Sequence, residues 1–261
     1  MDAKQAIVGG NTSLGIEFGS TRIRAVLAGA DSAPLALGNY AWGNQMEDGL
    51  WTYHLDDVWN GLQECYQYLK VDVKEKYGLD LTTVGSIGIS AIMHGYLVFD
   101  QAGGQLVSFR TSRNIIAKEA SIELTAIFDH NIPHYWSIAH LYQAMLNDEE
   151  HLPNINFMTT LAGYVHWKLT GEKVVGSGDA SGMFPLDSKT GSYDLQKLVQ
   201  FDQVVESHNL PWKLADILPR VLKAGEKAGN LSKIGAMMMD FSGTLQAGIP
   251  FCPSEGIAAD E

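Results

Sequence analysis

One glutamate, two glycines and two hydroxyl side chains fall close together in Gly15-Ile16-Glu17-Phe18-Gly19-Ser20-Thr21 near the start of the chain. Leu14–Phe18 and Arg22–Leu27 on either side read as strands, so Gly-Ser-Thr between them is a tight antiparallel turn. Glycine at such a turn lets phosphate oxygens approach the backbone, where amides and the Ser20 and Thr21 hydroxyls can donate to them, with Arg22 beside them. Glu17, at the strand end, can hold a magnesium ion through water. The segment is neither a Walker loop nor a dinucleotide fingerprint, because no Gly-Lys-Ser/Thr follows and a strand, not a helix, comes next. Taken alone it is an ordinary hairpin with an exposed glutamate.

A second candidate is Ile89-Ser90-Ala91-Ile92-Met93-His94-Gly95. It closes an apolar run, Val84–Ile92, read as a central strand covered on both faces, and open α/β sheets bind ligands beyond such strand ends. His94 can hydrogen-bond a hydroxyl and Met93 can pack against a sugar face. A lone histidine after a strand is more often a satisfied structural residue. Asp179, in Gly178-Asp179-Ala180-Ser181-Gly182, is read first as organising a turn through side-chain-to-backbone bonds. His130, His134, His140 and His151 lack a metal-ligand spacing on one helix face and receive no function.

The elements that would position these groups follow from periodicity. Residues 35–42 make a third strand after the hairpin. A helix from about Leu55 to Lys76 carries Val58, Leu62, Cys65, Tyr66 and Leu69 on one face, with Gly78 at its C-cap. Further helices are expected over Asn114–Phe128, Ser137–Asn147, Met158–Leu169 and about Leu195–Glu206, and a short strand over Leu97–Asp100. An antiparallel opening followed by a crossover helix and a later parallel strand makes a mixed sheet, expected with helices on both faces.

Composition narrows the partners. With 18 basic and 30 acidic residues, the formal charge of −12 argues against nucleic acid or an anionic membrane as the main partner. Two distant cysteines, Cys65 and Cys252, make neither a disulfide framework nor a zinc pattern. With no signal peptide at Met1–Gln5 and no spanning apolar run, a soluble, cytoplasmic protein is expected. A homodimer is compatible with this reading.

Taken together, Gly-Ile-Glu-Phe-Gly-Ser-Thr and the strand ending in Met-His-Gly resemble the FGGY carbohydrate kinases, xylulose kinases among them. The resemblance continues through Thr159–Glu172, with its Leu-Thr-Gly-Glu turn, and through Gly178–Asp187. It implies an actin-like ATPase, RNase H-like fold in two lobes. Residues 13–256 would be the N-terminal sugar-binding lobe, residues 1–12 a disordered or tag-like segment, and 257–261 a truncated tail without the C-terminal ATP-binding lobe.

The resemblance also implies roles. ATP and Mg²⁺ would be the cofactors and a sugar or polyol the substrate, xylulose-like in the first instance. Glu17, Gly19, Ser20, Thr21 and Arg22 would face phosphate and magnesium, and Met93, His94, Thr111 and Arg113 the sugar. Glu17 replaces the family's usual aspartate, and Thr111 replaces a carboxylate that would accept sugar hydroxyls. Arg113 reads equally well as a surface ion pair with Glu119 or another acid. After Cys252-Pro253-Ser254-Glu255-Gly256, Ile257 stands where the family carries its catalytic aspartate, and Asp260 reaches the site only if the tail folds back. A phosphotransferase, inactive as this chain alone, is therefore expected. The alternative is a non-catalytic sugar-binding or regulatory protein.

Overall fold

The computed structural model describes residues 2–257. The strands are β1 (Ser13–Phe18), β2 (Arg22–Ala28), β3 (Pro34–Ala41), β4 (Gln45–Glu47), β5 (Leu50–Thr52), β6 (Ser86–Ile92), β7 (Leu97–Phe99), β8 (Phe157–Thr159), β9 (Val174–Gly176), β10 (Arg220–Leu222) and β11 (Glu255–Ile257). The helices are α1 (Ala3–Val8), α2 (Leu55–Tyr77), α3 (Lys118–Phe128), α4 (Ser137–Leu146), α5 (Leu161–Thr170), α6 (Ser177–Ala180), α7 (Leu195–Val204), α8 (Leu214–Ile217) and α9 (Lys233–Met239).

The main sheet has five strands in the order β11-β6-β1-β2-β3. β1, β2 and β3 form an antiparallel meander, and β6 and β11 add in parallel on the other side of β1. Alternation explains which face is covered. Leu14, Ile16 and Phe18 of β1 and Ile23, Ala25 and Leu27 of β2 are buried, and they share one core with the inner stripes of α2 and α5 and with Ala236 and Met239 of α9. α2 ends at Gly78, whose φ of 72° and N–H bond to the Lys74 carbonyl make a left-handed cap. A second core lies beneath α3, α4, α7 and α8.

Several expectations change. Residues 2–12 are not without structure: Asp2 caps α1, and Ala6 and Ile7 are buried. The expected helix over Met158–Leu169 divides into β8 and α5, because the Thr160 side chain accepts from the Gly163 amide and starts the helix there. The helix expected from Asn114 begins at Lys118. The main sheet carries α2, α5 and α9 on one face. Among the described residues its other face is left open around Gly15, Glu17, Arg24, Val26, Gly88 and Ser90, so β6 is covered on one side only. β6 in fact alternates, with Ile87, Ile89 and Ala91 inward and Ser86, Gly88 and Ser90 on the open side.

Candidate functional site

Parallel pairing decides where the candidate residues emerge. β1 runs beside β6 with Phe18 opposite Ala91, and β6 runs beside β11 with Ile92 opposite Ile257. The Gly19-Ser20-Thr21 turn and the Met93-His94-Gly95 segment therefore leave the sheet at one edge, the carboxyl end of its parallel strands.

The turn is closed by a bond from the Gly19 amide to the Arg22 carbonyl, at 3.0 Å. Ser20, Thr21 and Arg22 are exposed, and the amides and hydroxyls of Ser20 and Thr21 donate to no group among the described residues. Glu17 accepts from Arg24 Nη2 at 2.7 Å, an ion pair between adjacent strands on the open face. Ser90 and Glu255 continue the same row across the sheet. Glu17 is the carboxylate at the end of β1 that could hold a magnesium ion through water, with its Oε1 already paired to Arg24. Among the described residues no cluster of three or more His, Cys, Asp or Glu side chains forms a metal site by itself.

His94 adopts φ of 72°, a left-handed conformation that a non-glycine residue takes only where its surroundings enforce it. The Gly95 amide donates to the Tyr135 carbonyl at 3.1 Å, and Ser137 Oγ donates to the Gly95 carbonyl at 2.6 Å. The His94 ring lies 4.6 Å from that of Tyr135. Burial pushes its imidazole down to about 4, so it is neutral near pH 7, and its nitrogens make no hydrogen bond to the described residues. Gly182 faces this ring: a Cβ there would fall 2.6 Å from His94 Cδ2. A Cβ on Gly256 would overlap Met93 and lie 2.8 Å from Asp179 Oδ1. Met93, His94, Asp179, Gly182 and Gly256 thus form one cluster.

Asp179 is buried. Its Oδ2 accepts from the Thr160 hydroxyl while Oδ1 has no partner among the described residues. Burial pushes its carboxyl up to about 7, the Thr160 bond working the other way and nearby Glu255 adding to the rise. Glu255 accepts from the Asp179 amide at 3.3 Å, which ties α6 to β11.

Thr111 and Arg113 follow Arg110, which pairs with Tyr96 across from this cluster, and their side chains are engaged by the β4–β5 hairpin and the residues before it. Thr111 is buried and its hydroxyl donates to the Trp51 carbonyl at 3.2 Å, so it offers no exposed group to a sugar. Arg113 lies over the Trp51 ring at 4.2 Å and donates to Asn44 Oδ1 at 3.0 Å, and among the described residues it pairs with neither Glu119 nor another acid. The segment comes against the cluster at Gly95, where a Cβ would fall 2.6 Å from the Arg110 carbonyl and 2.9 Å from the Phe109 ring. Ile257 has an apolar side chain beside this cluster, and Asp260 lies outside the described residues.

Glu255, Trp42, Tyr53 and Trp51 were not singled out from sequence. The signal for the last two was present in Asp48-Gly49, a hairpin turn joining β4 and β5 with φ of 48° and 82°.

A model of the "FGGY family of carbohydrate kinases, N-terminal domain" matches residues 12–254. No curated protein matches the sequence. Among solved structures, a xylulose kinase from Lactobacillus acidophilus aligns with a TM-score of 0.74 at 14% identity, covering 94% of this chain and 48% of that one. A xyloylose kinase from Brucella ovis gives 0.75 at 15%, covering 94% and 47%. Plasmodium falciparum glycerol kinase with ADP gives 0.70 at 15%, covering 94% and 48%. These likenesses speak to the fold, and this chain spans about half the length of each structure. The matched domain model covers most of the chain, and the protein belongs to the FGGY family of carbohydrate kinases through its N-terminal domain.

Proposed function

We propose that the chain is the sugar-binding N-terminal lobe of a kinase that transfers the γ-phosphate of ATP to a hydroxyl of a ketose or polyol. Xylulose-like substrates are the first choice. The observation that carries this reading is the pairing of β1 with β6, which brings the Ser20-Thr21 turn and His94 out at one edge of the sheet. Phosphoryl transfer asks chiefly for positioning and charge stabilisation. In this reading, the free amides and hydroxyls of Ser20 and Thr21 donate to phosphate oxygens, with Arg22 adding positive charge. Neutral His94 exchanges a hydrogen bond with a sugar hydroxyl, and Met93 packs against the carbon skeleton. Glu17 and Arg24 set the charge beneath the phosphates. Magnesium, when bound at Glu17 through water, would neutralise phosphate charge. ATP would be held mainly by a second lobe, corresponding to the half of the relatives' length that this chain does not span.

Ile257 favours a second reading for the chain on its own, sugar binding without turnover. Its side chain cannot accept a proton, yet it stands beside Met93 where a base would be wanted. Calorimetric titration of the protein with pentuloses, hexuloses and polyols tests the sugar assignment. Saturable binding of at least one ketose or polyol is expected, and failure of the whole panel would overturn it.

A further inference from the structure

The three carbonyl groups of the phosphate turn are all engaged from behind. Trp42 Nε1 donates to the Gly19 carbonyl at 2.7 Å, the Tyr53 hydroxyl donates to the Ser20 carbonyl at 2.8 Å, and the Trp42 amide donates to the Thr21 carbonyl at 3.1 Å. These donors come from separate pieces of chain. Trp42 follows β3, and Tyr53 follows the β4–β5 hairpin, just before α2.

Peptide planarity turns this into a statement about the amides. In a trans peptide the N–H of one residue points opposite to the C=O of the residue before it, and no peptide bond here is cis. Drawing the Gly19 and Ser20 carbonyls inward therefore aims the Ser20 and Thr21 N–H groups outward, where they have no partner among the described residues. Successive outward amides form an anion-binding concavity. Were the carbonyls free to turn outward, the same loop would present negative dipoles to a phosphate.

The clamp is held by packing. The Trp42 ring lies 6.0 Å from Phe18 and 4.5 Å from Tyr53, and Tyr53 lies 6.4 Å from Phe109, against which Gly95 packs. An aromatic row thus runs from the phosphate turn to the residue that follows His94. Tyr53 is buried, and burial pushes its phenol up to about 12, Arg113 pulling the other way, so the hydroxyl keeps the proton it donates.

We propose that Trp42 and Tyr53 are positioning residues of the phosphate site, holding the turn carbonyls inward so that the Ser20 and Thr21 amides face the phosphate. This rests on the kinase reading above and assigns the hairpin's competence to two residues outside it.

The test compares the protein with Tyr53→Phe, which removes only the hydroxyl, and Trp42→Phe, which keeps an aromatic ring and removes the indole N–H. Binding of magnesium tripolyphosphate is titrated by calorimetry, and NMR order parameters of the Ser20 and Thr21 amides report their rigidity. Each variant is expected to bind about threefold to tenfold more weakly, as loss of one hydrogen bond implies, with lowered order parameters at both amides. Unchanged affinity in Tyr53→Phe, whatever Trp42→Phe does to stability, overturns the clamp, as do unchanged order parameters. If the unaltered protein binds no tripolyphosphate, the phosphate role of the hairpin itself fails, and the clamp with it. If the unaltered protein binds and the variants bind equally well, only the clamp fails.

Discussion

The backbone N–H of Met93 donates to the carbonyl oxygen of Ile257 at 2.9 Å. The edge strand therefore fixes the residue that precedes His94, and the chain must then turn through the left-handed φ of His94 to reach Gly95. The geometry of the proposed sugar contact is set by β11 as much as by β6.

His94→Ala is expected to weaken sugar binding by roughly 1–3 kcal/mol, the cost of one lost buried hydrogen bond. Because burial holds the imidazole down near 4, affinity should stay level from about pH 5.5 to pH 8. A titration whose affinity falls through the ordinary histidine range would show that the ring charges on binding.

Asp179 should make stability fall as pH rises. Its carboxyl titrates near 7 in the folded protein against 3.8 in the reference state, so the folded form retains a proton across that window. Stability is full below the lower value and is lost progressively up to the upper one. His94 and His140, pushed down to about 4 and about 3 by burial, act in the opposite sense, and their contribution is lost as pH falls below 6.5. Glu255, raised by burial, acts in the same sense as Asp179, so Asp179→Asn should lessen that fall without touching the histidine trend, which urea unfolding at pH 5, 6, 7 and 8 would reveal. An unchanged pH slope in the variant would remove Asp179 as its source.

Gly38→Ala tests how β3 and α2 pack. A Cβ there would overlap the Cys65 carbonyl and fall 2.9 Å from the Leu69 amide, both backbone atoms that cannot swing aside. A loss of about 1–3 kcal/mol is expected from overpacking, measured by denaturant unfolding. A neutral substitution would mean that the helix rides further from the sheet.

The opening meander and α2 were legible because their burial follows simple periods. Leu14, Ile16 and Phe18 alternate, and Val58, Leu62, Cys65 and Leu69 recur at helical spacing before Gly78. β8 was hidden because three residues are too few to show alternation and Thr160 starts a helix immediately after them. The open face of the sheet was hidden because Gly88 and Ser90 are small enough to suit either environment. The strand end that Met93 and His94 follow was legible from the apolar run before it. The inward turn of Thr111 was not, because it depends on the Trp51 carbonyl, 60 residues away in sequence. Nor do residue types alone show that Trp42 and Tyr53 reach back to the turn carbonyls.

In a coupled ADP-release assay with pentuloses, hexuloses and polyols, the chain alone is expected to show no sugar-dependent turnover. Ile257 cannot serve as base, and loss of a general base typically costs on the order of 10²–10⁴-fold. Sugar-dependent turnover near 1 s⁻¹, the lower end of the ordinary enzyme range, would show that another group takes the proton.

The most direct measurement is an NMR titration of the ¹⁵N-labelled protein with the same panel of sugars and polyols. At least one of them is expected to shift the amide signals of His94, Gly95, Gly182 and Gly256 saturably, with weaker shifts in His94→Ala. Saturable shifts confined to the Trp51 and Arg113 neighbourhood, or none with any member of the panel, would contradict a sugar site at the carboxyl ends of β6 and β11.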